Sequence, residues 1–137
     1  MNLEQMREDK QQTSDRLLRF LKENIQTVLR LEILLLLHRH QPRTFTASGV
    51  ANRLGFDNDT TAHELEQLEA IGAVVQSNSY KTKYKYHPRN NRLRSLIDQL
   101  AVQYSKRRVA ILSVMLAEHP DRTRLFAEAF RIIRSND

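Results

Sequence analysis

The chain has 137 residues, 40% hydrophobic and 28% charged, with a net charge of +6 and a pI near 10.0. That is enough for one domain with attachments, and too apolar for global disorder. With no cysteine there is no disulfide framework, thiolate metal site or cysteine nucleophile, and three glycines and three prolines leave little for a loop-built enzyme pocket or a phosphate cradle.

Residues 1–13 are polar, with Leu3 and Met6 the only large apolar side chains. They read as a frayed or loosely helical tail, and MNLEQMREDK has no apolar stretch of the kind that marks a secretory signal. Ser14 or Asp15 caps a first helix carrying Leu17, Leu18, Leu21, Ile25 and Val28 at helical spacing. A second helix, from about Leu29 to His40, is apolar nearly all round and belongs in the centre of a domain. Its apolar run, Ile33–Leu37, is far short of the ~20 residues of a membrane span. Gln41-Pro42-Arg43 ends it.

Thr46 caps a short helix over Ala47–Leu54, which Gly55 stops. Asp57 or Asn58 caps the next, which runs through Ile71 with Leu65, Leu68 and Ile71 on one face, and Gly72 closes it. Val74 and Val75 begin a strand, and Ser77-Asn78-Ser79 has turn chemistry. Tyr80–Tyr86 alternates strictly and reads as a second, antiparallel strand stopped by Pro88. A long helical stretch follows, from Asn91 to Glu118, with Lys106-Arg107-Arg108 marking a break. His119-Pro120 interrupts it, and a last amphipathic helix, capped by Asp121, runs to Arg134.

The basic character is uneven. Residues 1–30 carry six Lys/Arg against five Asp/Glu, residues 31–75 three against six, and residues 76–137 thirteen against five. The surplus of positive charge belongs to the C-terminal half.

Helix, helix, helix and a two-stranded hairpin with short connections is the winged helix-turn-helix order. The expected fold is therefore mainly α with a small two-stranded β-wing. Residues 1–28 form an N-terminal tail and helix, 29–90 the winged domain, and 91–137 the C-terminal helices. Leu31 to Val75 resembles bacterial winged-helix transcriptional regulators of the MarR/ArsR kind, about a third of the chain. The resemblance rests on Leu31-Glu32-Ile33-Leu34, on Val50-Ala51-Asn52-Arg53-Leu54-Gly55, and above all on Leu65-Glu66-Gln67-Leu68-Glu69-Ala70-Ile71-Gly72-Ala73-Val74. The last matches the end of a recognition helix entering a wing.

The resemblance implies a cytoplasmic, sequence-specific DNA-binding regulator, with flanking helices in the position of dimerisation helices. The third helix would then present Thr60, His63 and Gln67 to phosphates or bases. Residues 57–71, however, hold Asp57, Asp59, Glu64, Glu66 and Glu69 and no Lys or Arg. Regulators of this kind usually place a cation where His63 and Glu66 stand, so the same face also suits a basic protein partner or simple solvation. The wing compensates: Lys81, Lys83 and Lys85 share one strand face, and Arg89, Arg92 and Arg94 extend it, six cations within fourteen residues. Tyr84 and Tyr86, on the other face, suit the core, while the lysines could equally be guards of an edge strand.

The five histidines show no metal-ligand spacing, and no triad or carboxylate pair has a recognisable context, so no metal, cofactor or enzymatic activity is expected. Leu17, Leu21, Ile25 and Val28 at one end, and Leu93, Leu100, Ile111, Met115, Phe126 and Phe130 at the other, exceed what a sixty-residue core needs. Burial in a homodimer or within the chain would account for them.

Overall fold

The computed structural model describes Leu3 and residues 15–78 and 80–116. Most of the polar tail, the capping Ser14 and the expected last helix lie outside them. Residues 15–20 are helical and pass into a π-helical turn, Leu21–Ile25; together they are α1. The others are α2 (Val28–Arg39), α3 (Ala47–Leu54), α4 (Asn58–Ala70), β1 (Val74–Asn78), β2 (Thr82–Tyr86), α5 (Asn91–Lys106) and α6 (Arg108–Leu116).

The described residues fall into two compact units. One is Thr27–Ser95; the other is made by the described residues flanking it on both sides. The first is a winged helix.

Its helices start where short polar side chains stand in for missing helical carbonyls. The Thr27 hydroxyl accepts from the Arg30 N–H at 3.1 Å, Thr46 from Gly49 at 3.0 Å, and Asp57 Oδ1 from Thr60 at 2.7 Å. Thr27 was not expected as a cap. α1 ends earlier than its apolar spacing suggests, because Gln26 takes a φ of 69° and Thr27 is extended. Val28 thus opens α2 rather than closing the first helix.

In α2, Leu31, Ile33, Leu34 and Leu37 are fully buried, and Val50, Ala51, Leu65 and Leu68 meet the same fate on α3 and α4. Each large side chain so removed from water contributes roughly 1.5–3 kcal/mol before entropy is counted.

Two glycines make the turns. Gly55 (φ 76°) ends α3 with its N–H on the Ala51 carbonyl, and Gly72 (φ 85°) turns α4 into β1. They differ in surroundings. A Cβ at Gly55 would meet nothing within 4 Å, whereas one at Gly72 would stand 2.6 Å from Cδ and 2.9 Å from Cγ of Arg89. Gly55→Ala should therefore lose about 1–2 kcal/mol, the left-handed backbone term alone. Gly72→Ala should lose more and displace the Arg89 stem. Urea titration of both variants checks the order, and equal losses would contradict the close approach.

The hairpin pairs Val74 with Tyr86, Gln76 with Tyr84 and Asn78 with Thr82. Ser77 and Asn78 are therefore strand residues, and the turn sits later than the Ser77-Asn78-Ser79 chemistry suggested. Tyr80 consequently leaves the strand and is 93% exposed, while Tyr84 and Tyr86 join the core as expected. Phe45 adds a one-residue third strand, exchanging both backbone hydrogen bonds with Tyr84 at 2.8 and 2.7 Å. β2 is thus the central strand.

The long C-terminal helix breaks at Arg107, within the basic triplet, as expected. Of the apolar side chains of the flanking helices, Leu17, Leu21, Ile25, Leu100 and Ile111 are buried within the chain. The exposed ones are Val102, Val109 and Leu116.

Candidate nucleic-acid interface

α4 places Thr60, His63 and Gln67 on one face by the three- and four-residue spacing of a helix. Thr60 and His63 are exposed, and Gln67 is half-buried. The Thr60 hydroxyl is already engaged, donating to Asp57 Oδ2 at 2.7 Å while its N–H binds Oδ1. These two bonds hold the Asp57 carboxyl below its ordinary value. Thr60 therefore faces outward chiefly as an acceptor, with its proton committed to the cap.

The acidity of α4 is smaller than its sequence suggests. Glu64 turns inward and pairs with Arg30, Nε to Oε2 at 2.6 Å, both side chains about one-tenth exposed. The Thr27 hydroxyl stands 3.4 Å from the same oxygen. Glu69 accepts from Gln76 Nε2 at 3.1 Å. Among the described residues only Asp59 and Glu66 remain on α4 as exposed carboxylates without a hydrogen-bonding or ion-pair partner. The counted acids were correct as residues and misplaced as a face. An arginine inside the apolar run of α2 was the one sequence sign of a buried acid.

On the wing, Lys83 and Lys85 leave β2 opposite Tyr84 and Tyr86, Lys83 exposed and Lys85 half-buried. Lys81 is not on the strand but in the turn, also exposed. Arg89 is exposed just past the hairpin, its N–H on the Gly72 carbonyl at 2.8 Å. None of the four makes an ion pair among the described residues. Arg94 instead lies over the Tyr86 ring, 5.8 Å from its centroid, with His38 edge-on to the same ring at 5.0 Å. Burial, and then the charges of Glu66 and Glu69, raise the Tyr84 phenol above its ordinary value, so it stays neutral at any physiological pH.

A second basic group was not anticipated. Arg43 and Arg53 both lie over the Phe45 ring, at 4.9 and 5.2 Å from its centroid, and His40 stands edge-on to it at 5.8 Å. They come from the end of α2, the segment after it and α3, and they meet around the Phe45 ring.

Among the described residues no three His, Asp or Glu side chains come together as metal ligands, and no helix is long and apolar enough to cross a membrane.

No family model and no curated protein matches this sequence. Solved structures match its fold. MepR, a transcription regulator of the Staphylococcus aureus multidrug efflux pump MepA, is 14% identical with a TM-score of 0.53, the match covering 100% of both chains. A point mutant of MepR bound to an oligodeoxyribonucleotide is 14% identical with a TM-score of 0.52, over 98% of this chain and 94% of that one. BpsR of Bordetella bronchiseptica, whose DNA binding is regulated by 6-hydroxynicotinic acid, is 14% identical with a TM-score of 0.51, over 98% and 93%. At these identities the likeness is one of fold alone, the winged helix.

Proposed function

We propose that this chain is a homodimeric winged-helix transcriptional regulator that binds double-stranded DNA, residues 29–90 forming the DNA-binding part and the flanking helices the dimer. Lys81, Lys83, Lys85 and Arg89 track phosphates. His63, Gln67 and Thr60 face the groove, Thr60 as acceptor. The observation that carries this reading is the inward turn of Glu64 onto Arg30. It removes from the outer face of α4 one of the charges that would most oppose a polyanion, beside a wing whose lysines have no acid partners among the described residues. The oligonucleotide-bound MepR mutant lends support, since the same fold meets DNA there.

The test is binding to a mixed pool of duplex DNA across a salt series, sequencing what is retained. Sequence-selective retention with a steep salt slope supports the reading, and no retention at physiological salt overturns it.

Dimerisation is supported by Val109 and Leu116, 78% and 67% exposed and seven residues apart on one face of α6, with Val102 49% exposed on α5. Val109→Asp with Leu116→Asp should shift the mass measured by light scattering from dimer to monomer and raise the dimer dissociation constant at least tenfold. A wild-type monomer would contradict this part.

The exposed pair Asp59 and Glu66 favours a second reading, in which α4 docks on a basic protein partner. Reversing both charges would then abolish the partner's binding and leave DNA affinity unimproved.

A further inference from the structure

The group around Phe45 has no role in the interface proposed above. Three arginines and a histidine meet at the end of α2, the turn after it and the end of α3. Arg43 and Arg53 cap the Phe45 ring, which is 5% exposed, and both guanidinium groups face solvent on their outer sides. Arg39 is exposed beside them, and His40 is half-buried between. No carboxylate pairs with any of these arginines among the described residues. Like charges this close repel, and the aromatic ring only partly offsets that by holding two of them in place. An arrangement that gathers cations, seats two of them over a buried ring and leaves them without an acid among the described residues is suited to receive an anion.

We propose that Arg43 and Arg53, with His40 between them, form a second phosphodiester-binding site that holds the DNA backbone outside the part contacted by α4 and the wing, and that occupying it takes up a proton at His40. This rests on the DNA-binding reading. Its place follows from strand order: β2 is central, with β1 on one side and Phe45 on the other. The site is therefore at the sheet edge away from β1, level with the middle of β2. DNA rather than a small anion is its occupant because three exposed arginines, two of them seated over one ring, offer a track and not an enclosed pocket.

The proton follows from the charges that face His40. They are Arg53 from α3, Arg39 from α2 and Arg43 from the turn, all cationic. From the strand side Phe45 offers only its ring, and Lys83 and Lys85 leave β2 on the opposite face. Partial burial first, and these cations next, push the imidazole below its ordinary value, so it is neutral at pH 7 in the free protein. A phosphate seated on the arginines reverses the local field and raises it. Between the two values binding takes up a proton, and affinity rises as pH falls toward 6.

The experiment is fluorescence anisotropy with the full chain and a labelled random-sequence duplex, over salt at pH 7.5 and over pH at fixed salt. Arg43→Gln with Arg53→Gln should lower the slope of log affinity against log salt by about two. Arg43→Lys with Arg53→Lys should keep most of that slope. His40→Gln should flatten the pH dependence that the wild type shows between pH 7.5 and 6. The pH arm stands if the arginine double variant fails to fold. An unchanged salt slope in a folded arginine variant, or a pH dependence that survives His40→Gln, overturns the proposal. Wild-type chain that binds no duplex at any salt overturns instead the function on which it rests.

Discussion

Arg30→Ala should lower the unfolding free energy by about 3–5 kcal/mol, the largest loss expected from one substitution of a polar side chain in this protein. The loss does not come from the attraction within the pair. Arg30 and Glu64 are both about one-tenth exposed and meet at 2.6 Å, so most of their attraction goes to offsetting their own desolvation. Among the described residues, removing the arginine leaves the Glu64 carboxylate with only the Thr27 hydroxyl, 3.4 Å away, in a place water scarcely reaches. Glu64 must then take a proton or pull α4 outward to find solvent. Glu64→Ala should be damaging by the same reasoning. Arg30→Met with Glu64→Leu, which removes both charges and keeps the volume, should come within about 1–2 kcal/mol of wild type. Urea unfolding of wild type, Arg30→Met, Glu64→Leu and their combination makes a double-mutant cycle. Single-variant losses below about 1 kcal/mol would mean that the pair behaves as a solvated surface bridge. The cycle bears on function too, since this pair keeps the Glu64 carboxylate off the outer face of α4.

Much of the fold was legible because local chemistry and burial agree there. Thr46 and Asp57 cap as their residue types predict, Gly55 and Gly72 take left-handed turns, and Arg107 breaks the C-terminal helix inside the basic triplet. What escaped was set by tertiary partners. The hairpin turn moved because the pairing of Val74 with Tyr86 fixes the register, whatever turn propensity Ser77 and Asn78 have. α1 stopped at Gln26 although Val28 continued its spacing, since Thr27 was needed to cap α2. The site was less legible than the fold. Glu64 reads as one of five acids until Arg30, thirty-four residues away, is seen beside it. The two arginines over Phe45 come from different elements, and no periodicity announces that they share one ring.

Lys83→Ala with Lys85→Ala should weaken duplex binding roughly tenfold or more near 0.1 M salt and lower the salt slope by about two, equally on every sequence. The two side chains leave β2 on one face, away from Tyr84 and Tyr86, so their loss removes phosphate charge without opening the core, and the variant should melt with the wild type. Glu66→Lys supplies the opposite sign. Glu66 is exposed on α4 without a partner among the described residues, and its replacement changes the face by two charges, so binding should tighten and the slope steepen by about one. Together the variants separate the two readings of α4 more sharply than either alone. If the helix enters a groove, the lysine and glutamate substitutions move DNA affinity in opposite directions, and the combined variant recovers part of what the lysines lost. If α4 instead meets a basic protein, the lysine variant still loses phosphate contacts, while Glu66→Lys leaves DNA affinity where it was. A Glu66→Lys chain with unchanged DNA affinity would therefore remove α4 from the DNA interface while leaving the wing in it.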